Sequence, residues 1–154
     1  SRTSKMVVDT CNKKLPGYID GGFGFVDNRD VANLAYLALN EGEDQDIFIA
    51  VGANYTMDQY MKTCKEVLSQ KGKNIKIPLK LPLFLAYTAA FFYELGFKLF
   101  KGQPLLTKGS IDIIQSELIF SSDKAKQKIN WQPREMKDTV KDTYDWYCSW
   151  GGYK

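Results

Sequence analysis

Histidine is absent from this 154-residue chain. No Ser-His-Asp or Cys-His nucleophilic machinery can be assembled without it, and the commonest zinc ligand is missing. Cysteine is scarce. Cys11, Cys64 and Cys148 are odd in number and far apart, so they imply no disulfide framework and no metal knuckle. Each reads as a small apolar side chain in a reducing compartment. An excess of one charge sign is also lacking: 21 Lys and Arg against 18 Asp and Glu leave +3, with the lysines scattered. That excludes nucleic-acid binding on the charge criterion. No run is long enough for a membrane span, which needs roughly 20 apolar residues; the uncharged stretch Leu81 to Tyr93 is cut off by Glu94 and Lys98. The opening Ser-Arg-Thr-Ser-Lys is neither a signal peptide nor a transit peptide, and the chain reads as one entered midway.

What is present suits one domain with a real core, since apolar residues make up 44% and charged residues 25%. The chain is organised around Gly21-Gly22-Phe23-Gly24-Phe25-Val26-Asp27-Asn28-Arg29-Asp30-Val31-Ala32. The glycines suggest a turn, Phe25 and Val26 a short buried strand, and Asp30 the N-cap of a helix beginning at Val31. Val31, Leu34, Ala35 and Ala38 then fall on one face. Asp27, Arg29 and Asp30 read as structural groups, with Arg29 solvated.

Upstream, Ser4 to Lys14 suggests a helix ended by Leu15-Pro16-Gly17. Downstream, Ile47-Phe48-Ile49-Ala50-Val51 is a continuous apolar run between Asp46 and Gly52, the pattern of a strand buried on both faces. Such a strand needs hydrogen-bonding neighbours, and the chain offers few. Thr56 and Gln59 form a capping box ahead of a helix with Met57, Tyr60, Met61, Cys64, Val67 and Leu68 in its core stripe. Leu81 to Tyr93 predicts an apolar helix with Pro82 in its first turn; it suits a buried or lid helix, or one lying on a membrane surface. Gly102-Gln103-Pro104 breaks it. Lys108 to Gln115 predicts a short helix and Glu117 to Phe120 an extended segment. Ser122 is the expected cap of a helix over Asp123 to Ile129, Trp131 a buried anchor, and Glu135 to Ser149 the last helix, with Trp146 and Trp150 on a second surface and Gly151-Gly152 closing it.

Three segments in order resemble the extended short-chain dehydrogenases/reductases. Phe25-Val26-Asp27-Asn28-Arg29-Asp30-Val31-Ala32 is similar to a segment beyond that family's catalytic Tyr-x-x-x-Lys. Leu105-Leu106-Thr107-Lys108-Gly109-Ser110 resembles its dihydroflavonol-reductase and hydroxysteroid-dehydrogenase branch. Phe120 to Lys126 with Trp131-Gln132-Pro133 looks like its C-terminal signature. The resemblance implies an α/β fold: a helix-rich C-terminal substrate-binding lobe, residues 1–154, of a Rossmann-type doubly wound enzyme, with one or two strands belonging to a sheet that this chain lacks.

It also implies NAD(P) in a full-length protein, bound by an upstream Rossmann domain and not by this chain. The chain has no Gly-x-x-Gly-x-x-Gly turn and no Tyr-x-x-x-Lys, so no catalytic and no cofactor-binding residue is assigned in it. Nucleotide-sugar members often carry an arginine where Phe23 stands, and a second one in the region of Ile111 to Phe120, where this chain has neither arginine nor lysine. An uncharged, partly apolar carbonyl or hydroxyl substrate is therefore expected, met by Phe23, Phe25, Phe84 and Tyr87. A nucleotide-sugar epimerase lobe and a membrane-surface or interaction module are the alternatives. The other expectations are a homodimer and a cytoplasmic location or one peripheral to a membrane.

Overall fold

The computed structural model describes residues 7–10, 12, 14–15, 17–88, 90–91, 108–116 and 118–150. The expectations for Cys11, Pro16, Leu105 to Thr107, Gly102-Gln103-Pro104 and Gly151-Gly152 lie outside these residues.

Four short strands form two ladders. β1 (Gly17–Tyr18) runs parallel to β4 (Leu79–Lys80), and β2 (Gly22–Phe25) pairs antiparallel with β3 (Ala53–Thr56). Five helices are bounded within the described residues: α1 (Asn28–Glu41), α2 (Met57–Gln70), α3 (Lys108–Gln115), α4 (Asp123–Lys128) and α5 (Met136–Ser149). Residues 7–10 and 83–88 are also helical. This is the helix-rich α/β architecture with few strands that the sequence implies.

The main core lies between α2 and α5. Tyr60, Met61, Cys64 and Leu68 of α2 are buried with Met136, Val140 and Tyr144 of α5, and Phe25 closes the cluster from the β2–β3 ladder. The stripe follows three-and-four spacing on each helix, so each presents one continuous apolar face. Full burial of such side chains stabilises by about 1.5–3 kcal/mol apiece. The capping box starts α2 as expected: the Gln59 amide N–H donates to Thr56 Oγ1 at 3.2 Å, and the Thr56 N–H donates to Gln59 Oε1 at 2.8 Å. A second cluster gathers Leu34 of α1, Ala125 of α4, Ile129 and Trp131, with Phe48 and Ala50 against it. Trp131 is fully buried and its indole N–H donates to the Asp30 carbonyl at 2.9 Å. A third, small cluster joins Ala86 and Ala90 to Ile111 of α3.

Several local expectations are corrected. The glycine segment is not a turn before a Phe25–Val26 strand; Gly22 to Phe25 is itself the strand. The cap of α1 is Asp27, three residues before Asp30, and its carboxylate accepts the Arg29 backbone N–H at 2.8 Å. The chain leaves the ladder at Phe25, so the first residue with extended backbone and a free carboxylate is Asp27. Asp30 is then drawn inside, where it accepts the Arg134 backbone N–H at 2.9 Å and meets its guanidinium at 3.3 Å. Arg29 is not merely solvated: it pairs with Asp27 and with Asp142, both at 2.8 Å, and so joins α1 to α5. On α1 the inward residues are Asp30 and Leu34, whereas Val31 and Ala35 are exposed. Ser122 precedes α4 without a side-chain cap; Ser121 Oγ accepts the Asp123 N–H instead. Trp146 and Trp150 are not buried against a second surface among the described residues: both are exposed and stack on each other at 5.5 Å.

The Ile47–Val51 run belongs to no strand among the described residues, and its end turns where the Val51 N–H donates to the Ile49 carbonyl at 3.2 Å. Its burial alternates, with Phe48 and Ala50 packed inward and Ile47 80% and Ile49 49% exposed. An ionic strap holds its start. Asp46 pairs with Lys124 at 2.9 Å and Lys128 at 2.7 Å, and Lys124 lies 5.2 Å over the Phe48 ring.

Candidate functional site

The two faces of the β2–β3 ladder differ because side chains alternate along a strand. The register pairs Gly22 with Thr56, Phe23 with Tyr55, Gly24 with Asn54 and Phe25 with Ala53. Phe23 and Phe25 turn inward: Phe23 meets Tyr60 edge-on at 6.0 Å and Phe25 meets Tyr55 edge-on at 6.1 Å. The opposite face holds Gly22 and Gly24 with Thr56 and Asn54. Half of its positions therefore bear no side chain, and it offers bare backbone as a floor.

Both polar side chains on that floor are already engaged. Thr56 caps α2. Asn54 donates its side-chain N–H to the Phe120 carbonyl at 2.8 Å and accepts the Phe120 N–H at 3.1 Å. Its amide thus substitutes for a neighbouring strand and carries residues 118–120 across the ladder. The close approach requires glycine. A Cβ at Gly24 would meet Val51 Cγ2 at 2.9 Å and the Phe120 ring at 3.2 Å, and one at Gly21 would collide with Ile114.

A cavity of about 310 Å³ lies here, bordered by Phe23, Tyr55, Asn54, Leu118 and Ile119, with Asp20 and Gln59 at its polar end. Asp20 is tied down by Lys80 at 2.6 Å, whose ammonium holds its carboxyl below the usual carboxylate range. Among the described residues, no arginine or lysine borders this cavity. A larger hollow of about 490 Å³ lies between α1 and α5, lined by Phe25, Arg29, Asp142, Thr139 and Trp146 among others. Its charged groups are spent on each other. Arg29 holds the Asp27 carboxyl well below the usual range, with the Thr139 hydroxyl donating to it at 2.7 Å. That arrangement is a helix joint.

Phe23 borders the smaller cavity and Phe25 the larger one. Phe84 is exposed on helical residues 83–88, and Tyr87 donates to Asp112 of α3, which raises its pKa. Neither Phe84 nor Tyr87 is among the described residues that border the smaller cavity. Asn54 is the feature that sequence reasoning passed over; its signal was an asparagine in a strand-forming segment that disfavours it.

A dinucleotide does not fit the one glycine-rich stretch. Gly22 and Gly24 lie in a strand, and the next helix N-terminus is occupied by the Asp27 carboxylate, which would repel a pyrophosphate. Among the described residues no cluster of His, Cys, Asp and Glu is placed to hold a metal, and no helix is long and apolar enough to cross a membrane.

No protein-family model matches the chain. Two curated proteins are similar over almost all of it. Sterol demethylase protein B of Methylococcus capsulatus is 20% identical over 147 residues, 96% of this chain and 44% of that protein. A putative dihydroflavonol 4-reductase of Synechocystis is 21% identical over 156 residues, 99% of this chain and 44% of that protein. Among solved structures, gox2253 superposes with a TM-score of 0.76 at 27% identity, covering 100% of this chain and 46% of its own. A nucleoside-diphosphate-sugar epimerase of Pseudomonas aeruginosa gives 0.72 at 16% identity, covering 98% and 43%. The Bordetella bronchiseptica enzyme WbmG, solved with NAD and UDP, gives 0.59 at 14% identity, covering 97% and 38%.

The chain matches the C-terminal part of the extended short-chain dehydrogenases/reductases, the epimerase/dehydratase superfamily. The structural neighbours are Rossmann-type proteins. The chain spans under half the length of the curated relatives it matches.

Proposed function

We propose that this chain is the substrate-binding portion of an NAD(P)-dependent oxidoreductase acting on an uncharged, partly apolar carbonyl or hydroxyl compound. The observation that carries the substrate class is the cavity at Phe23: backbone at Gly21 and Gly22, apolar walls at Leu118 and Ile119, and, among the described residues, no arginine or lysine on its border to pair with a diphosphate. A nicotinamide cofactor would be held by an upstream Rossmann domain. Support for that partner comes from the Ile47–Val51 segment, which is apolar throughout, exposes Ile47 and Ile49 and has no ladder neighbour among the described residues. The relatives' greater length agrees with it.

The test compares the full-length product with this chain. The full-length protein should bind NADPH or NADH and oxidise it with a ketone such as 1-tetralone, and this chain alone should bind neither nucleotide. Full-strength cofactor binding by this chain alone, or turnover of UDP-glucose in place of the ketone, overturns the reading.

A nucleotide-sugar epimerase lobe is the second reading, favoured by the backbone likeness to the Pseudomonas epimerase. A third, a membrane-surface module, draws on exposed Leu83, Phe84, Leu85 and Phe91. Liposome co-sedimentation that is lost on Phe84→Glu and Phe91→Glu would favour it.

A further inference from the structure

Residues 118–120 carry three exposed apolar side chains, with Ile119 82% exposed, in a segment with no secondary structure of its own. An apolar strap of this kind has no burial to fix its place. Its position relative to the ladder comes from two ends. At one end α3 is seated on β2's approach, with Ile114 against Gly21 and the Gln115 side-chain N–H donating to the Asp20 carbonyl. At the other, Asn54 grips both backbone groups of Phe120. Leu118 and Ile119 lie between those anchors and border the cavity.

We propose that Asn54 is a positioning residue for substrate selection: its two-point grip on Phe120 sets the height of the Leu118–Ile119 strap above the Gly21–Gly22 backbone that borders the cavity, so that the site admits flat, uncharged ring compounds and rejects thick ones. This rests on the uncharged-substrate reading above. At the Phe120 end the height is set by Asn54, because Gly22 and Gly24 on the same face contribute no side chain and Thr56 is committed to the α2 cap. A carboxamide is the group suited to the task, since it alone among small side chains offers a donor and an acceptor at the spacing of a peptide unit. A flat ring between a peptide floor and aliphatic side chains leaves no buried polar group unpaired, because the floor's polar side chains are already bonded.

The experiment uses the full-length protein, with Asn54→Ala removing both bonds and Asn54→Asp keeping only the acceptor for the Phe120 N–H. Amide hydrogen exchange at Phe120 should quicken by about tenfold in Asn54→Ala, the scale of a lost hydrogen bond, and by less in Asn54→Asp. KM for 1-tetralone, a flat ketone, should rise by about tenfold in Asn54→Ala on the same scale, with kcat within about twofold. KM for 4-phenylcyclohexanone, a thicker one, should fall or stay level, so the preference between the two narrows. Faster exchange at Phe120 with an unchanged preference overturns the proposal, as does unchanged exchange. If the wild-type protein turns over UDP-glucose and neither ketone, the uncharged-substrate reading falls by itself. The KM of UDP-glucose in the same variants then decides the grip: a rise at constant kcat upholds Asn54 as a positioning residue, and no change removes it.

Discussion

Two apolar stretches of similar character meet opposite fates. The α2 stripe, Tyr60, Met61, Cys64 and Leu68, is sealed from water by α5 and the β2–β3 ladder, all within this chain. The Ile47–Val51 run is sealed on one face, where Phe48 and Ala50 touch the Leu34–Trp131 cluster, and on the other only at Val51, beside Gly24; Ile47 and Ile49 face solvent. The difference is one of partners, not of composition. A helix satisfies its own backbone and needs only one apolar neighbour, whereas a strand needs other backbone on its edges and side chains on both faces. The incompletely covered region is therefore the one built around an isolated strand-like segment.

Substitutions can break or sharpen that contrast. The largest effect is expected from Trp131→Ala, which empties the centre of the cluster supporting the uncovered run and removes the bond to the Asp30 carbonyl. A loss of about 3–5 kcal/mol in urea unfolding is expected, the range for deleting a buried aromatic. A loss under about 1 kcal/mol, the scale of an ordinary surface change, would mean this cluster is not a true core.

Next comes Asp27→Asn at the joint of α1 and α5. Asparagine can still cap the helix but cannot keep the ion pairs with Arg29 and Arg134. The cost should be about 2 kcal/mol at pH 7, since hydrogen bonds to charged groups are the strong ones. Asp27 titrates lower in the folded than in the unfolded chain because Arg29 binds its carboxylate. Its stabilisation is thus complete above the unfolded pKa of about 3.9 and is lost as the pH falls below that toward the folded value. The gap between wild type and variant should close with acidification over that window, and a gap independent of pH would contradict the assignment.

Smaller still is Thr56→Ala, which removes the capping box of α2 and should lower stability by about 1 kcal/mol in the same assay. The smallest effect is the most informative for the contrast. Ile47→Asp should leave the stability of this chain within about 0.5 kcal/mol, as for other solvent-facing sites, yet, on the proposal that an upstream domain covers this face, strongly lower the yield of folded full-length protein by placing a charge there. Equal stability and equal full-length yield would show that nothing covers this face.

Where the interaction is local, the sequence was legible. Thr56 and Gln59 stand three residues apart and bond each other, so the start of α2 and its buried stripe could be read directly. Trp131 as an anchor and the extent of α3 were legible for similar reasons. The two aspartates were harder. Asp27 and Asp30 are equally suitable caps, and the choice between them depends on where β2 lets go, which is fixed by pairing with β3 some thirty residues on. The candidate site was the least legible. Phe23 was singled out and does border a cavity, but the cavity's other wall comes from Leu118 and Ile119, held there by Asn54.

Residue order alone determined which segments are helical, which faces of α2 and α5 are apolar, and that histidine chemistry and a dinucleotide turn are missing, because these follow from composition and from spacings of a few residues. Only the tertiary structure decided that two glycines would form a floor, that an asparagine would stand in for a strand, and that one apolar run would remain half covered. Those outcomes depend on contacts between residues far apart in the chain, such as Asn54 with Phe120 and Arg134 with Asp30, whose partners no local pattern names.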